Sequence, residues 1–166
     1  MINNYSCYEY YYDSPLGTMQ LLSDGKRLTR LGFSDKGSEC KSKAIGIFED
    51  TVKWLDCYFA GKRPDFTPDV FASSTQFRND VWDILMRIPY GQTVTYGDIA
   101  KEIVHKRGGR MSAQAVGGAV GSNPIAIIIP CHRVVGANHR LTGYYYGLDV
   151  KRRLLEIEGI NVKDYI

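Results

Sequence analysis

The chain has 166 residues, 21 Lys/Arg against 18 Asp/Glu, a formal net charge of +3 at pH 7 and 44% hydrophobic residues. That suffices for one or two small domains with real cores, in the composition range of an ordinary globular protein. No run reaches the roughly 18 apolar residues of a membrane span, and the polar start Met1-Ile2-Asn3-Asn4 lacks the basic-then-apolar layout of a secretory signal.

The first segment, to about Phe71, reads as a strand-rich unit closed by a helix. Tyr8, Tyr10 and Tyr12 alternate with Cys7, Glu9, Tyr11 and Asp13, a period-2 pattern of β-prone residues. Ser14-Pro15-Leu16-Gly17 is turn chemistry. Met19 to Leu22 and Leu28 to Phe33 are two further short strands, with Asp24-Gly25 as a hairpin signal between them. From Ala44 to Phe59, apolar residues at Ile45, Phe48, Val52, Leu55 and Phe59 have helical spacing. Gly61 ends that helix, and Pro64 and Pro68 mark a linker. Cysteines at 7, 40, 57 and 131 are widely spaced, with no Cys-x-x-Cys. They do not read as a disulfide framework, and Cys7, Cys40 and Cys57 are expected to be packing or surface residues. A reducing cytoplasmic compartment follows.

The second segment is mostly helical. Thr75 can cap a helix running to Arg87, with Phe77, Val81, Trp82, Ile84, Leu85 and Ile88 as its buried stripe. Pro89-Tyr90-Gly91 breaks it. Thr95 and Asp98 form a capping-box pattern opening a helix from Tyr96 to about Val104. The turn from His105 to Met111 is basic, and Ser112 caps a second helix through about Gly121. This is a helix-turn-helix candidate whose second helix is built almost only of small residues. Charge favours this half: residues 78–166 carry twelve Lys/Arg against eight Asp/Glu, residues 1–77 nine against ten. The excess sits at Lys101, Lys106, Arg107 and Arg110, then Arg133 and Arg140, then Lys151, Arg152 and Arg153. A solvated face explains that excess as well as a polyanion does, and the position of the first cluster favours nucleic acid.

Ile127-Ile128-Ile129 reads as a short buried strand that Pro130 stops, delivering Cys131 and His132 to the rim of a core. Thiolate is the reactive form of cysteine, and neighbouring positive charge favours it. Taken alone the pair is weak evidence; a small buried thiol beside a surface histidine is its plainer reading. A last helix, Asp149 to Glu158, ends at Gly159. A carboxylate in that position is disfavoured by roughly 0.3–1 kcal/mol, which invites a functional explanation for Glu158 beside the plain one of a solvent-facing side chain.

The order Ala115-Val116-Gly117-Gly118-Ala119, Asn123-Pro124, Ile129-Pro130-Cys131-His132-Arg133-Val134, then Gly143-Tyr144 and Gly147-Leu148, closely resembles the O6-alkylguanine-DNA alkyltransferase family. The resemblance is strong from about Thr75 to Gly159 and weaker from about Tyr10 to Phe71. It implies an α+β protein: residues 1–71 a structural unit with a small antiparallel sheet and a helix, ribonuclease H-like, and residues 72–166 a mainly helical DNA-binding and alkyltransferase domain. The implied activity is direct-reversal repair. The alkyl group, mainly methyl, of O6-alkylguanine in DNA moves irreversibly and once per chain to Cys131, with O4-alkylthymine as a further candidate substrate. An alkyl group on guanine O6 lies inside the duplex, so the nucleotide must first be flipped out. No cofactor is expected. The implied partner is double-stranded DNA, entered through the minor groove by a monomer, cytoplasmic and nucleoid-associated in a prokaryote. Some relatives hold zinc near the N-terminus; all three histidines here lie at 105 or beyond, so no metal is expected.

Residue by residue, the resemblance makes Cys131 the nucleophile, with His132 and Glu158 as its relay. Asn123 fixes the turn before the nucleophile. Tyr96 turns the 3′ phosphate and hydrogen-bonds the guanine. Tyr144 lines the alkyl pocket, backbone groups near Val134 and Tyr145 read the guanine edge and O6, and Tyr146 adds bulk near that pocket. Thr95, Ala113, Gln114, Ala115 and Gly117 form the DNA-facing surface. There are three departures from the family pattern. Gln114 stands where an arginine finger is common. Tyr146 stands where the pocket loop commonly has glycine. The turn Lys106-Arg107-Gly108-Gly109-Arg110 is longer than in the commoner members. Two rival readings are a lesion-binding relative that recruits other repair proteins, which would lack the cysteine after Pro130, and a thiol hydrolase turning over on esters or peptides.

Overall fold

The structure is a computed structural model that describes residues 6–165; the polar start at Met1–Asn4 lies outside them. It divides into two compact units, one ending at Ala72 and one beginning at Ser73.

The first unit is a four-stranded sheet in the order β3-β2-β1-β4 with one helix. β1 (Tyr8–Ser14) and β2 (Gly17–Ser23) form an antiparallel hairpin, with Tyr10 opposite Leu21 and Tyr12 opposite Met19. β3 (Leu28–Phe33) continues the antiparallel order. β4 is a two-residue edge, Lys41–Ser42, parallel to β1, which the sequence pattern did not indicate. α1 (Gly46–Phe59) starts two residues later than its apolar spacing suggests, because Ile45 is still extended. Phe48, Leu55 and Tyr58 of α1 are buried with Met19, Leu21, Leu28 and Leu31, and Tyr10 stacks on Phe48 at 5.8 Å. Removing each such aliphatic side chain from water stabilises the unit by about 1.5–3 kcal/mol. The alternate residues of β1 are not simply solvated. Glu9 is buried, accepting from Gln20 Nε2 at 2.9 Å and from the Ser38 amide and hydroxyl at 3.0 and 2.5 Å. Those bonds tie the 34–38 segment to the sheet.

Cys7 and Cys40 are not the unpaired packing or surface residues expected from their spacing. Cys7 and Cys40 are joined by a disulfide, their Cα atoms 4.7 Å apart. They lie 33 residues apart in the chain, and only the β1–β4 pairing, with the Lys41 amide donating to the Cys7 carbonyl at 2.8 Å, brings them together.

The second unit contains α2 (Gln76–Met86), α3 (Tyr96–Arg107), α4 (Ala113–Gly121) and α5 (Leu148–Ile157). Thr75 Oγ1 caps α2 through the Arg78 amide, Thr95 and Asp98 form a complete capping box on α3, and Ser112 caps α4. α3 runs three residues past Val104 before Gly108 ends it. Val81, Trp82, Leu85, Ile99, Ile103, Val116 and Val120 bury the common core of α2, α3 and α4, and the Trp82 indole donates to the Ala119 carbonyl at 2.9 Å. Among the described residues no helix is long and apolar enough to cross a membrane.

The apolar run before the nucleophile is not a strand. Ile125 to Ile129 are all buried, but their bonds are local: the Ile128 amide donates to the Ala126 carbonyl and the Ile129 amide to the Ile125 carbonyl. Ile127 has φ +69°, a left-handed conformation rare for a β-branched residue. A short, fully buried apolar run carries no periodicity that separates a strand from a compact turn. Past Pro130, Cys131–Arg133 form one 3-10 turn. A two-residue β6 (Val134–Val135) then pairs in parallel with β5 (Val94–Thr95). That pairing, also absent from the sequence reading, lays the start of α3 beside the segment following Cys131.

Candidate active site

Asn123 shapes the approach to Cys131. Its Oδ1 accepts from the Ile125 amide at 2.9 Å and its Nδ2 donates to the Ile129 carbonyl at 2.7 Å. One side chain thus closes the turn that a ladder would otherwise have had to hold. The buried Cys131 thiol opens on a cavity of about 340 Å³, lined also by Tyr96, Ala113, Gly117, Val120, Gly121, Asn123 and the loop from Thr142 to Tyr146. That volume lies within the usual span for a small-molecule site. Gly143 has φ +57°, a left-handed turn that favours glycine, and packs beside the Tyr96 hydroxyl.

Burial pushes the Cys131 thiol above its ordinary value, while Asn123, the Lys151 charge and backbone amides pull the other way. The resting sulfur is a thiol, and a base is needed to make it a nucleophile. His132, fully buried, shares a 2.6 Å hydrogen bond between Nε2 and Glu158 Oε1. Burial holds its pKa below the usual imidazole value, against the pull of Glu158 and with the repulsion of Arg133 and Lys151. It rests as the neutral ring. Glu158 is the C-cap of α5. Burial alone would raise its pKa, but the hydrogen bonds of His132 and Arg133, the Arg133 charge and the His132 charge that appears once acid protonates the ring outweigh that and lower it to about 2. Its Oε2 also accepts from the Gly91 amide at 2.9 Å, on a backbone with φ +77°.

Two cations counted above as part of a solvated basic excess are inside the site instead. Lys151 is fully buried, and its Nζ donates to the carbonyls of Val134, Thr142 and Gly143 at 2.5, 2.8 and 3.0 Å. Burial lowers its pKa to about 8. Arg133 grips Glu158 through Nε and Nη2 and donates from Nη1 to the Ile88 carbonyl at 2.7 Å. The sequence did carry a signal for Lys151. Lys151, Leu154, Leu155 and Glu158 fall at i, i+3, i+4 and i+7, the inward stripe of a helix.

The structure gathers Cys131, Tyr96, Asn123, Tyr144, Tyr145 and Tyr146 around one cavity, with Ala113 and Gly117 on its α4 side. Tyr144 is half-buried with its hydroxyl buried near Cys131, and burial first, then the Cys131 charge, raises its pKa well above that of a free phenol. Tyr146 packs edge-on to Tyr144, with ring centroids 5.7 Å apart, whereas Tyr145 is 76% exposed. His132 and Glu158 stand behind the cavity. The Val134 carbonyl accepts from Lys151. Thr95 caps α3, and Gln114 and Ala115 lie on the exposed face of α4. Two of the basic residues near the turn are held by the protein itself: Lys106 and Arg107 reach the buried Asp80 at 2.7 and 3.6 Å. Among the described residues no cluster of His, Cys, Asp and Glu could hold a metal ion.

Comparison with known proteins gives this arrangement a family. Residues 76–160 match the model of the 6-O-methylguanine DNA methyltransferase DNA-binding domain, and residues 7–70 match the ribonuclease-like domain of the same enzymes. The chain belongs to the 6-O-methylguanine DNA methyltransferase family. A methylated-DNA–protein-cysteine methyltransferase of Methanosarcina acetivorans is 42% identical over 153 residues, covering 89% of this chain and 96% of that protein. One of Mycobacterium tuberculosis is 43% identical over 150 residues, covering 88% of each. The crystal structure of the Mycobacterium tuberculosis methyltransferase in complex with DNA superimposes with a TM-score of 0.81 at 42% identity, over 91% of this chain and 92% of that one. The α+β fold read from the sequence is that of these methyltransferases.

Proposed function

We propose that this methyltransferase repairs DNA by moving the alkyl group, mainly methyl, from O6-alkylguanine to Cys131, with O4-alkylthymine as a second substrate. The observation that carries the reading is Cys131 opening on a base-sized cavity with a buried His132–Glu158 pair behind it. The names of the relatives, and a relative's structure with DNA, support it.

The division of labour follows the two units. The N-terminal unit is structural, and the unit from Ser73 binds DNA and reacts. A monomer meets the minor groove with α4, whose exposed face of Ala113, Gln114, Ala115 and Gly118 allows close approach. Thr95 and Gly117 flank that surface. Gln114 fills the gap left in the stack, and its amide hydrogen-bonds the orphaned partner base. Extrusion costs a few kcal/mol of unstacking and unpairing. Tyr96 turns the phosphate and holds the guanine edge, while Tyr144, Tyr145 and Tyr146 wall the alkyl pocket.

His132, with its proton on Nε2 toward Glu158, accepts the thiol proton. Glu158 stabilises the imidazolium that forms. The sulfur attacks the alkyl carbon, the carbon–O6 bond breaks, and its electron pair stays with guanine, which takes up a proton to become the ordinary base. The new thioether is a poor leaving group, so each chain acts once, and the reaction calls for no cofactor.

The test is stoichiometry. Increasing O6-methylguanine duplex added to a fixed amount of protein should lose methyl groups until one equivalent per chain is consumed, then no more. Continued turnover, or no consumption, contradicts the reading.

A further inference from the structure

We propose that Arg133 is a positioning residue of the relay: its guanidinium fork balances the Glu158 charge, so that His132 rests as a neutral ring able to take the thiol proton. This rests on the alkyl-transfer reading and deepens it.

The geometry is specific. Glu158 receives Arg133 Nε at 2.9 Å on Oε2 and at 3.1 Å on Oε1, and Nη2 at 3.0 Å on Oε1. Nη1 is spent on the Ile88 carbonyl, and the guanidinium lies 5.7 Å from the centre of the Tyr90 ring. Tyr90 is itself held by a hydroxyl bond to the Ile157 carbonyl. The fork is therefore fixed from three sides and aimed at the same carboxylate that holds His132 Nε2.

The electrostatic consequence follows from burial. Glu158 and His132 side chains have no solvent exposure. A carboxylate in such a place must be compensated by a cation or be neutralised. Among the described residues, Arg133 and His132 bond it and can supply positive charge. If His132 supplied it, the ring would be protonated before the reaction and could not act as a base. Arg133 supplies it permanently, because guanidinium does not lose its proton at any working pH. Among the described residues, Lys151, from α5, is a further charge bearing on the ring, and Cys131 is its neighbour in the chain. Lys151 adds positive charge and so acts in the same direction as Arg133.

The experiment is a titration of the His132 ring by nitrogen-15 NMR in the unreacted protein, beside the pH profile of methyl transfer. In the wild type, His132 should be neutral at pH 7 with its proton on Nε2. In Arg133→Met, the ring should be protonated at pH 7, its titration and the acid limb of transfer both moving up by at least about one pH unit. Transfer should then recover toward the wild-type rate at high pH. Arg133→Lys keeps the charge and should keep the limb. Arg133→Met combined with Glu158→Gln removes both charges and should return the ring to the neutral form at pH 7. If Arg133→Met does not fold, Arg133→Gln, which keeps hydrogen-bonding capacity without charge, carries the same comparison. An imidazolium in the wild type at pH 7 overturns the proposal without any variant. A variant whose rate falls equally at every pH, with an unmoved ring titration, overturns it too. The titration does not depend on methyl transfer, so a protein that transfers nothing yet titrates as expected would contradict the activity and leave the role of Arg133 standing.

Discussion

Lys151 and Glu158 stand two turns apart on α5 and hold the two flanks of the nucleophile. Lys151 Nζ bonds the Val134 carbonyl just after the Cys131 turn, and Glu158 takes His132 and Arg133 within it. Lys151 also bonds Thr142 and Gly143, so one ammonium ties the pocket loop to the segment bearing the nucleophile. A single helix face thereby sets both the base and the cavity wall.

Replacing Lys151 by methionine leaves the buried Val134 carbonyl and the part-buried Thr142 and Gly143 carbonyls without this donor. Each unmet polar group costs about 1–3 kcal/mol, and a misplacement of about 1 Å can cost ~10²-fold in rate. Lys151→Met should therefore transfer methyl roughly 10- to 100-fold more slowly while the protein stays folded. With a pKa of about 8, Lys151 loses its proton as pH rises through that value and keeps only two N–H donors for three carbonyls. Wild-type transfer should fall on that limb, and Lys151→Met should lack it. Second-order rates between pH 7 and 9.5 check both.

Stability should depend on acid in a defined direction. Glu158 has a folded pKa of about 2 against an ordinary 4.5, so it stabilises the fold above 4.5 and that contribution is lost as pH falls toward 2. The full difference is worth ~3 kcal/mol, of which about 2 is gone at pH 3. His132, held below its ordinary value, acts with the same sign at higher pH: the unfolded chain takes up a proton below ~6.5 that the folded ring refuses. The Tm of the C-terminal unit should fall steadily from pH 7 to 3, with roughly 8–16 °C of the fall due to Glu158. Glu158→Gln should begin lower at pH 7 and flatten below pH 5. A melting curve indifferent to pH contradicts this.

Gln114 tests the DNA face. Gln114→Ala leaves nothing to fill the stack and should weaken binding and slow repair. Gln114→Arg adds a cation and should bind more tightly at low salt, with a steeper dependence of affinity on salt. Affinity and repair rate both unchanged in the two variants would remove α4 from the interface.

Tyr146 lines the cavity beside Tyr144, where a small residue would leave space. A methyl group needs little of that space; a benzyl group needs much. Overpacking costs about 1–3 kcal/mol, or roughly tenfold to two-hundredfold in rate. The protein should repair O6-methylguanine well and react slowly with O6-benzylguanine, and Tyr146→Gly should restore the benzyl reaction with little change for methyl. A wild type that prefers benzyl would show that the ring stacks on the substrate and does not exclude it.

Local physics was legible in the sequence. Thr75, Thr95 with Asp98, and Ser112 announce helix starts because a cap involves only the next three residues. The motif around Cys131 pointed to the cavity residues that the fold gathers. Features set by distant chain were not legible. β4, β5 and β6 are two residues long and exist only because their partners lie alongside. The Cys7–Cys40 pair depends on the first of those pairings. The run at Ile127 lacked any period, and the burial of Arg133 depends on acceptors from the loop after α2 and from the end of α5. Lys151 looked like a surface charge because its neighbours Arg152 and Arg153 are exposed.

The central claim is that Cys131 takes the alkyl group. Intact mass and peptide mapping after incubation with an O6-methylguanine duplex test it most directly. A gain of one methyl for one hydrogen per chain, located on Cys131, is expected, and none in Cys131→Ala, which should still bind the duplex through α4 and its phosphate contacts. A methyl found on Cys57, or a Cys131→Ala chain that still demethylates the duplex, would contradict it.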